Sequence, residues 1–150
     1  MSDRHFSFWP KGQPRTMSVP ATSLFYNAEV SAARYPDKPY LVFYDTPVSF
    51  AEFRDEAERL AGFLQQACGV RKGDRVLLFM QNSPQYVIGY YGILRADAVV
   101  VPVNSMNVAN ELRHYVRDSG ASVALVAQEL YAQMQPLLDE GLEHIVVAAY

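Results

Sequence analysis

The chain has 150 residues, of which 50% are hydrophobic and 19% charged, and its formal net charge is −3. These values fit one globular domain and exclude a disordered chain. They also exclude the basic footprint of a nucleic-acid-binding protein, and no polybasic run marks an anionic membrane surface.

Targeting and cross-linking signals are equally sparse. No apolar run reaches the ~18 residues of a transmembrane helix, and the first residues lack the apolar core of a signal peptide. Cys68 is the only cysteine, so no disulfide framework and no cysteine metal site is encoded. We therefore expect a soluble, cytoplasmic domain.

Residues 1–20 predict an extended arm. They contain three of the nine prolines and scattered aromatic residues, without periodicity. Thr22 or Ser23 then opens a short helix. This helix must end near Tyr35, because the proline that follows disfavours a helical conformation in the residue before it.

The next segment predicts one strand and one well-marked helix. Pro39–Tyr44 is typical of a strand, and Asp45–Pro47 of the turn after it. A helix is predicted from Ser49 to Ala67, because Ser49 and Glu52 have the spacing of a capping box. Its buried face is predicted to consist of Phe50, Phe53, Ala57, Leu60, Ala61 and Leu64.

From Arg75 onward, strands and helices alternate. The predicted strands are Arg75–Met80, Ala98–Val101 (ended by Pro102), Ser122–Ala127 and His144–Ala148. The predicted helices are Pro84–Ala96, a helix capped by Asn107 and ended by Gly120, and Glu129–Glu140, bent or split at Pro136. The first of these helices is apolar nearly all round, which predicts a buried helix. Its Gly89 and Gly92 each cost about 1 kcal/mol relative to alanine and predict close backbone packing.

This alternation with short links predicts a doubly wound α/β fold. Right-handed crossovers would give a mainly parallel sheet with helices on both faces. We assign residues 21–150 to this subdomain. The chain stops on a strand where a ligand-facing loop would follow, so we interpret it as truncated relative to a full enzyme. Apolar surface left uncovered by the truncation predicts self-association.

Ligands of open α/β sheets bind beyond the carboxyl ends of the strands. The candidate loops there are Gln81–Ser83, Asn104–Asn107 and Ala127–Gln128. Each is small and polar and precedes a helix N-terminus, whose free N–H groups favour anions. This placement permits a binding site without identifying a ligand.

The sequence contains none of the standard catalytic or phosphate-binding motifs. It has no Gly-x-Gly-x-x-Gly, no Gly-x-x-x-x-Gly-Lys-Ser/Thr and no Gly-x-Ser-x-Gly. The histidines lack metal-ligand spacing: they are His5, His114 and His144. We interpret Cys68 as a core-edge residue rather than a nucleophile, and Lys72–Arg75 as a turn rather than a phosphate site. The tyrosines of Tyr86–Tyr91 are assigned to core packing rather than to a ligand tunnel.

Five segments nevertheless occur in an informative order. They are Tyr35–Pro39, Val48–Phe53, Gly69–Val76, Asn82–Pro84 and Gly92–Asn104. In this order they resemble the opening motifs of the adenylate-forming (AMP-binding) superfamily. Phe8–Gly12 is similar to its fatty acyl-CoA synthetase branch. The resemblance implies the amino-terminal portion of a fatty-acid–CoA ligase, which joins a carboxylate to AMP and then passes the acyl group to CoA.

The chain departs from the family at two places. Asp97 stands where the family usually has glycine. Ser105 and Met106 stand where many members have proline and then a basic or aromatic residue, a position that helps to hold the CoA nucleotide in some ligases. By resemblance, Asn104, Ser105 and Met106 form a loop close to CoA or the acyl chain.

The resemblance carries over no catalytic residue and no metal ligand. It implies that the intact enzyme uses fatty acid, ATP, Mg and CoA, and that this chain alone holds no cofactor and is inactive. The alternative is a stand-alone flavodoxin-like binding domain without catalysis.

Overall fold

The structure is a computed structural model that describes residues 3–149. The helices are α1 (Leu24–Arg34), α2 (Phe50–Gln66), α3 (Pro84–Arg95), α4 (Ala109–Ser119) and α5 (Tyr131–Met134), with 3-10 segments at Arg4–Phe8, Gln128–Leu130 and Gln135–Glu140. The strands are β1 (Pro39–Phe43), β2 (Thr46–Ser49), β3 (Arg75–Phe79), β4 (Val99–Val103), β5 (Val123–Ala127) and β6 (His144–Ala148).

The main sheet has four parallel strands in the order β4-β3-β5-β6. The chain moves from β3 outward to β4 and then returns past β3 to β5. Right-handed crossovers therefore place α3 and α4 on opposite faces of the sheet. Helices α1 and α2 pack with α3, and α5 and the 3-10 segment after it pack with α4. The predicted doubly wound α/β fold is confirmed.

The core lies on both faces of the central strands. In β3, Val76, Leu77, Leu78 and Phe79 are all 0% exposed, and every residue of β5 is buried. Leu77 is a core residue, as expected of a strand covered on both faces. Val100 of β4, by contrast, is only half-buried. The reason is that β4 lies at the edge of the sheet.

The predicted capping box of α2 is confirmed. The Ser49 hydroxyl accepts a hydrogen bond from the Glu52 backbone N–H at 3.2 Å, and the Glu52 carboxylate accepts one from the Ser49 N–H at 2.8 Å. The Ser49 hydroxyl also donates to the Glu52 carboxylate at 2.8 Å. The backbone N–H first, and this hydroxyl second, lower the pKa of Glu52 below its ordinary value. Two otherwise unsatisfied groups at the start of the helix are thereby paired.

Strand β2 is a correction to the sequence analysis. Residues predicted as turn and helix cap form a second strand, which pairs antiparallel with β1. The turn consists instead of Tyr44 and Asp45, whose φ angles are +47° and +63°. Positive φ at both central residues is the geometry of a tight two-residue hairpin. The hydrophobic pattern of the sequence did not predict β2, because the strand has only four residues and one of them is a proline.

The prediction that Pro102 ends β4 is also wrong. The strand continues to Val103 in register with Phe79 of β3. A proline lacks the N–H needed by a strand with two neighbours, but an edge strand tolerates it.

Helix α3 is less buried than its apolar sequence predicts. Only Gly89, Gly92 and Ile93 are fully buried, and most of its other apolar side chains are half-buried. The prediction of close packing at the glycines is confirmed. A Cβ atom added at Gly89 would lie 2.9 Å from Leu78, and one added at Gly92 would lie 2.8 Å from Leu60 of α2.

Asp97 occupies a backbone conformation that favours glycine. Its φ is +59°, in the turn between α3 and β4. Its carbonyl accepts a hydrogen bond from the Gly73 N–H at 2.9 Å, which fixes the turn against the loop before β3. A glycine adopts this conformation without steric cost, which accounts physically for the residue usual at this position in the family that the sequence resembles.

Candidate functional site

The carboxyl ends of the parallel strands meet at one edge of the main sheet. The loops after β3 and β5 leave toward opposite faces, since α3 and α5 lie on opposite sides. This divergence makes the gap between β3 and β5 the switch point of the fold, where open α/β sheets bind ligands. Two cavities lie beside the loop after β3.

The strand-end cavity, of about 440 Å³, separates the loop after β3 from the loop after β4. Its lining is uncharged and consists of Met80, Gln81, Asn82, Tyr86, Pro102, Val103, Asn104 and Ser105. Two of the three predicted site residues, Asn104 and Ser105, are therefore brought together with the loop after β3. The side chain of Met106 is 84% exposed and lies outside this lining.

Hydrogen bonds hold the loop after β4 in shape. The Asn104 side-chain oxygen accepts a bond from the Met106 N–H at 3.0 Å, and its backbone carbonyl accepts one from Asn107 at 2.9 Å. Asn107 is not the helix cap that the sequence predicts. Helix α4 begins one residue later, and Glu111 accepts the Val108 N–H at 3.0 Å.

The hairpin cavity, of about 870 Å³, lies between the β1–β2 hairpin and the loop after β3. Phe43, Tyr44 and Pro47 line one side, and Gln81–Gln85 line the other. Three carboxylates also reach it, from Glu52, Glu56 and Glu129. Sequence reasoning missed this cavity because one wall depends on β2, the strand that the pattern hid.

Ser83 and Gln85 line the hairpin cavity. Ser83 is 7% exposed, and its hydroxyl accepts the Tyr86 N–H at 3.2 Å, which caps α3 as predicted. The amide nitrogen of Gln85 donates to the Ala149 carbonyl at 3.1 Å. Its buried side-chain oxygen has no hydrogen-bond partner among residues 3–149.

An aromatic cluster fixes the hairpin against the helices. The Tyr40 ring stacks on Phe50 with centroids 4.6 Å apart, and Phe53 meets Tyr91 edge-on at 5.2 Å. Burial first, and the neighbouring Tyr91 second, raise the pKa of Tyr40 above its ordinary value. These contacts agree with the packing role predicted for the tyrosines of α3.

The other sequence candidates have structural roles. Cys68 is buried, and burial raises the pKa of its thiol, which disfavours the reactive thiolate. Lys72–Arg75 forms the predicted turn, in which the Asp74 carboxylate accepts the Arg71 N–H at 2.8 Å. The Arg75 guanidinium donates to the Ser119 carbonyl at 2.7 Å and so caps the end of α4.

The polar and charged groups at this edge of the sheet bear on metal and anion binding. Within residues 3–149, no group of three or more His, Cys, Asp or Glu side chains could hold a metal ion. Ser83 accepts the N–H of Tyr86 in the first turn of α3, and Glu111 accepts the N–H of Val108, the residue before α4. Since Glu111 is itself an anion, it opposes binding of another anion at the start of α4.

The described helices include none long and apolar enough to cross a bilayer.

A family model described as AMP-binding enzyme matches residues 28–149. The long-chain-fatty-acid–CoA ligase of Escherichia coli O6:H1 is 36% identical over 120 residues, which is 79% of this chain and 21% of the relative.

Solved structures share the fold over a similar range. The long-chain-fatty-acid–CoA ligase FadD1 of Archaeoglobus fulgidus superposes with a TM-score of 0.79 at 28% identity, covering 89% of this chain and 28% of its own. The anthranilate CoA ligase AuaEII, in complex with anthranoyl-AMP, superposes with a TM-score of 0.81 at 27% identity. The match covers 87% of this chain and 26% of AuaEII. The chain thus spans between a fifth and a third of these proteins. The matched residues and the shared fold show that it belongs to the AMP-binding enzyme family.

Proposed function

We propose that this chain is the amino-terminal portion of a fatty-acid–CoA ligase. The intact protein joins a fatty acid to AMP with release of pyrophosphate and then transfers the acyl group to the CoA thiol. The observation that carries the proposal is the 36% identity to a long-chain-fatty-acid–CoA ligase over 79% of this chain. The superposition on FadD1 supports it.

We propose that this portion does not hold ATP or magnesium by itself. The sequence has no glycine-rich phosphate loop, and residues 3–149 contain no metal-binding cluster. Near the switch point the charged side chains of the hairpin cavity are carboxylates, which repel a triphosphate. We therefore assign ATP and magnesium binding to sequence that the longer relatives have in addition to this portion.

For this portion we propose a role in shaping the passage for the acyl chain or CoA. The loop Asn104–Met106 borders the strand-end cavity, whose uncharged lining suits a neutral or apolar part of the substrate rather than a phosphate. Met106 contributes an exposed apolar side chain at its margin.

Pyrophosphate release tests the assignment. Residues 1–150 mixed with a fatty acid, ATP, magnesium and CoA should release none above background, because no group here stabilises the developing charge. The protein encoded by the complete reading frame should release pyrophosphate in a fatty-acid-dependent manner. An aryl carboxylate such as anthranilate serves as the comparison substrate.

Two results would contradict the proposal. Fatty-acid-dependent release by residues 1–150 would show that the chemistry resides in this portion. A natural reading frame that stops at Tyr150 would instead support the alternative of a stand-alone flavodoxin-like binding domain.

The loop proposal is tested by filling the strand-end cavity. In the complete protein, Ser105→Trp should raise the KM for CoA by about tenfold, equivalent to ~1.4 kcal/mol, because the indole occupies space that we assign to the acceptor. Val42→Trp, on an exposed position of β1, is the control and should leave the KM unchanged. The assignment would be refuted if Ser105→Trp and Val42→Trp had the same KM for CoA and the same KM for the fatty acid.

We also propose that residues 1–150 self-associate and that the parent protein is cytoplasmic. The incompletely buried apolar side chains of α3 and the exposed Val99 of the edge strand support self-association. The ATP and CoA that we propose as substrates support the location. Sedimentation velocity should give a weight-average mass that rises with concentration, and a constant monomer mass would contradict self-association.

A further inference from the structure

The loop after β4 begins with a tight turn whose first residue is Asn104. Its backbone carbonyl accepts the Asn107 N–H at 2.9 Å, and its side-chain oxygen accepts the Met106 N–H at 3.0 Å. Two hydrogen bonds therefore fix this asparagine across a single four-residue turn. Asn104 is exposed and Met106 is 84% exposed, so water reaches the turn from outside.

The side-chain hydrogen bond of Asn104 directs its amide group along the main chain. An asparagine whose oxygen bonds the N–H two residues ahead holds its Cγ close to the nitrogen of the residue between them. Here that residue is Ser105, whose N–H makes no hydrogen bond to another residue of 3–149. Because the serine side chain is small, it leaves the approach between this nitrogen and Cγ open.

We propose that Asn104 is a site of spontaneous deamidation. The Ser105 nitrogen attacks Cγ of Asn104, its proton leaves with the side-chain nitrogen as ammonia, and a five-membered succinimide closes. Water then opens this ring at either carbonyl, which gives aspartate or isoaspartate. The Met106 N–H donates to the oxygen on which negative charge develops during the attack. A donor already in that place stabilises the transition state.

Asn82 is the internal comparison, because it also precedes a serine and also borders the strand-end cavity. The residue two positions ahead of it is Pro84, which has no N–H to donate. The residue between them, Ser83, is only 7% exposed and caps α3. Asn82 therefore lacks both the donor to its side-chain oxygen and an accessible neighbouring nitrogen.

The other asparagines lie in places that disfavour the reaction. Asn27 and Asn110 are inside helices α1 and α4, where the following N–H takes part in the hydrogen bonds of the helix. Asn107 precedes Val108, whose N–H already donates to Glu111 at 3.0 Å. Asn104 is thus the asparagine whose surroundings favour deamidation.

Deamidation changes the charge of the strand-end cavity, whose lining is uncharged. Each event places one carboxylate on this lining, and isoaspartate also lengthens the main chain between β4 and α4 by one carbon. A carboxylate in this place repels an anionic ligand such as CoA. This consequence, unlike the modification itself, rests on the proposed function.

Mass spectrometry of aged protein measures the modification. After incubation at mildly alkaline pH, trypsin releases residues 96–113, which contain Asn104, and residues 76–95, which contain Asn82. Each event adds one mass unit, and fragment ions assign it to a residue. We expect Asn104 to react about tenfold faster than Asn82, below the ~10²–10³-fold effect of oxyanion donors in enclosed sites. The rate should rise with pH, because the deprotonated nitrogen is the nucleophile.

Two variants of Ser105 test the mechanism. Ser105→Pro removes the N–H that the attack requires and should stop the reaction at Asn104, while proline suits the second position of a tight turn. Ser105→Ala keeps the N–H and is the matched control, in which the rate should stay nearly unchanged. Synthetic peptides of residues 96–113 and 76–95 give the rates without the fold. Asn104 should react in the protein at least as fast as in its peptide, and Asn82 more slowly than in its own.

Three results would overturn the proposal: equal rates at Asn104 and Asn82, a slower reaction of Asn104 in the protein than in its peptide, or an unchanged rate in Ser105→Pro.

The consequence for the cavity is tested in the complete protein with Asn104→Asp, which installs one product directly. The KM for CoA should rise about threefold, the effect of one exposed charge, whereas the KM for pantetheine, a thiol without phosphates, should not change. An equal KM for CoA in the two proteins would refute the consequence. Absence of ligase activity from both proteins would contradict the proposed function and leave the mass measurements unaffected.

Discussion

Leu77→Ala should lower the free energy of unfolding by about 2–5 kcal/mol, the range for truncating a fully buried leucine. Leu77 is 0% exposed at the middle of β3, with Val101 as its neighbour on one side and Ala124 on the other. Both faces of this strand are covered by helices, so the space left by the side chain cannot be filled by water or by a surface residue. Urea unfolding followed by circular dichroism measures the difference.

Val147→Ala is the matched control for this prediction. It truncates an aliphatic residue in the same sheet, but on the edge strand β6, where the side chain is 45% exposed. We expect its cost to stay below about 1 kcal/mol. Similar losses for the two variants would mean that β3 is not the centre of the core.

Gly92→Ala should destabilise the protein, whereas Gly62→Ala should stabilise it. Both glycines lie inside long helices, where alanine is intrinsically better by about 1 kcal/mol. At Gly62 an added Cβ meets nothing within 4 Å, so the gain should appear in full. At Gly92 the added atom would lie 2.8 Å from the Leu60 side chain and 3.2 Å from its Cβ. Overpacking of this kind costs about 1–3 kcal/mol and should reverse the sign.

Thermal and urea unfolding of the two variants measure this contrast directly. Gly92→Val should lose more stability than Gly92→Ala, because it forces α2 and α3 further apart. Stabilisation by both alanine variants would mean that α2 and α3 do not meet at Gly92, which would contradict the packing on which one face of the fold depends.

Much of the fold follows from local patterns in the sequence. The bounds of β6 match the prediction, and those of α2, α3, β3 and β5 differ from it by one residue at one end or at both. The unbroken apolar run of β3 and the capping box at Ser49 are local signals, because each involves only a few neighbouring residues. The helix predicted for Glu129–Glu140 is split next to Pro136, as its sequence indicates, into α5 and 3-10 turns.

The errors have non-local causes. The edge position of β4, which allows Pro102 and leaves Val100 half-buried, depends on strand order rather than on residues 98–103. The strand β2 exists because Tyr44 and Asp45 adopt positive φ, an unusual conformation for a tyrosine. Of the candidate site, the loop residues were predictable from their place after a strand, whereas the hairpin cavity was not. The arm, predicted to be extended, also contains a 3-10 helix whose residues show no periodic pattern.

The strand order also sets the sequence of events during synthesis. Strand β3 leaves the ribosome first among the four parallel strands, yet its two neighbours are β4 and β5. A nascent chain that ends near Ala98 therefore carries the apolar run Val76–Phe79 of β3 with both edges of the strand unpaired. Only after Val126 has emerged can the second edge close. Long-range parallel pairing of this kind is slow and exposes the chain to aggregation, so we expect chaperones to engage the segment Arg75–Phe79 during this interval.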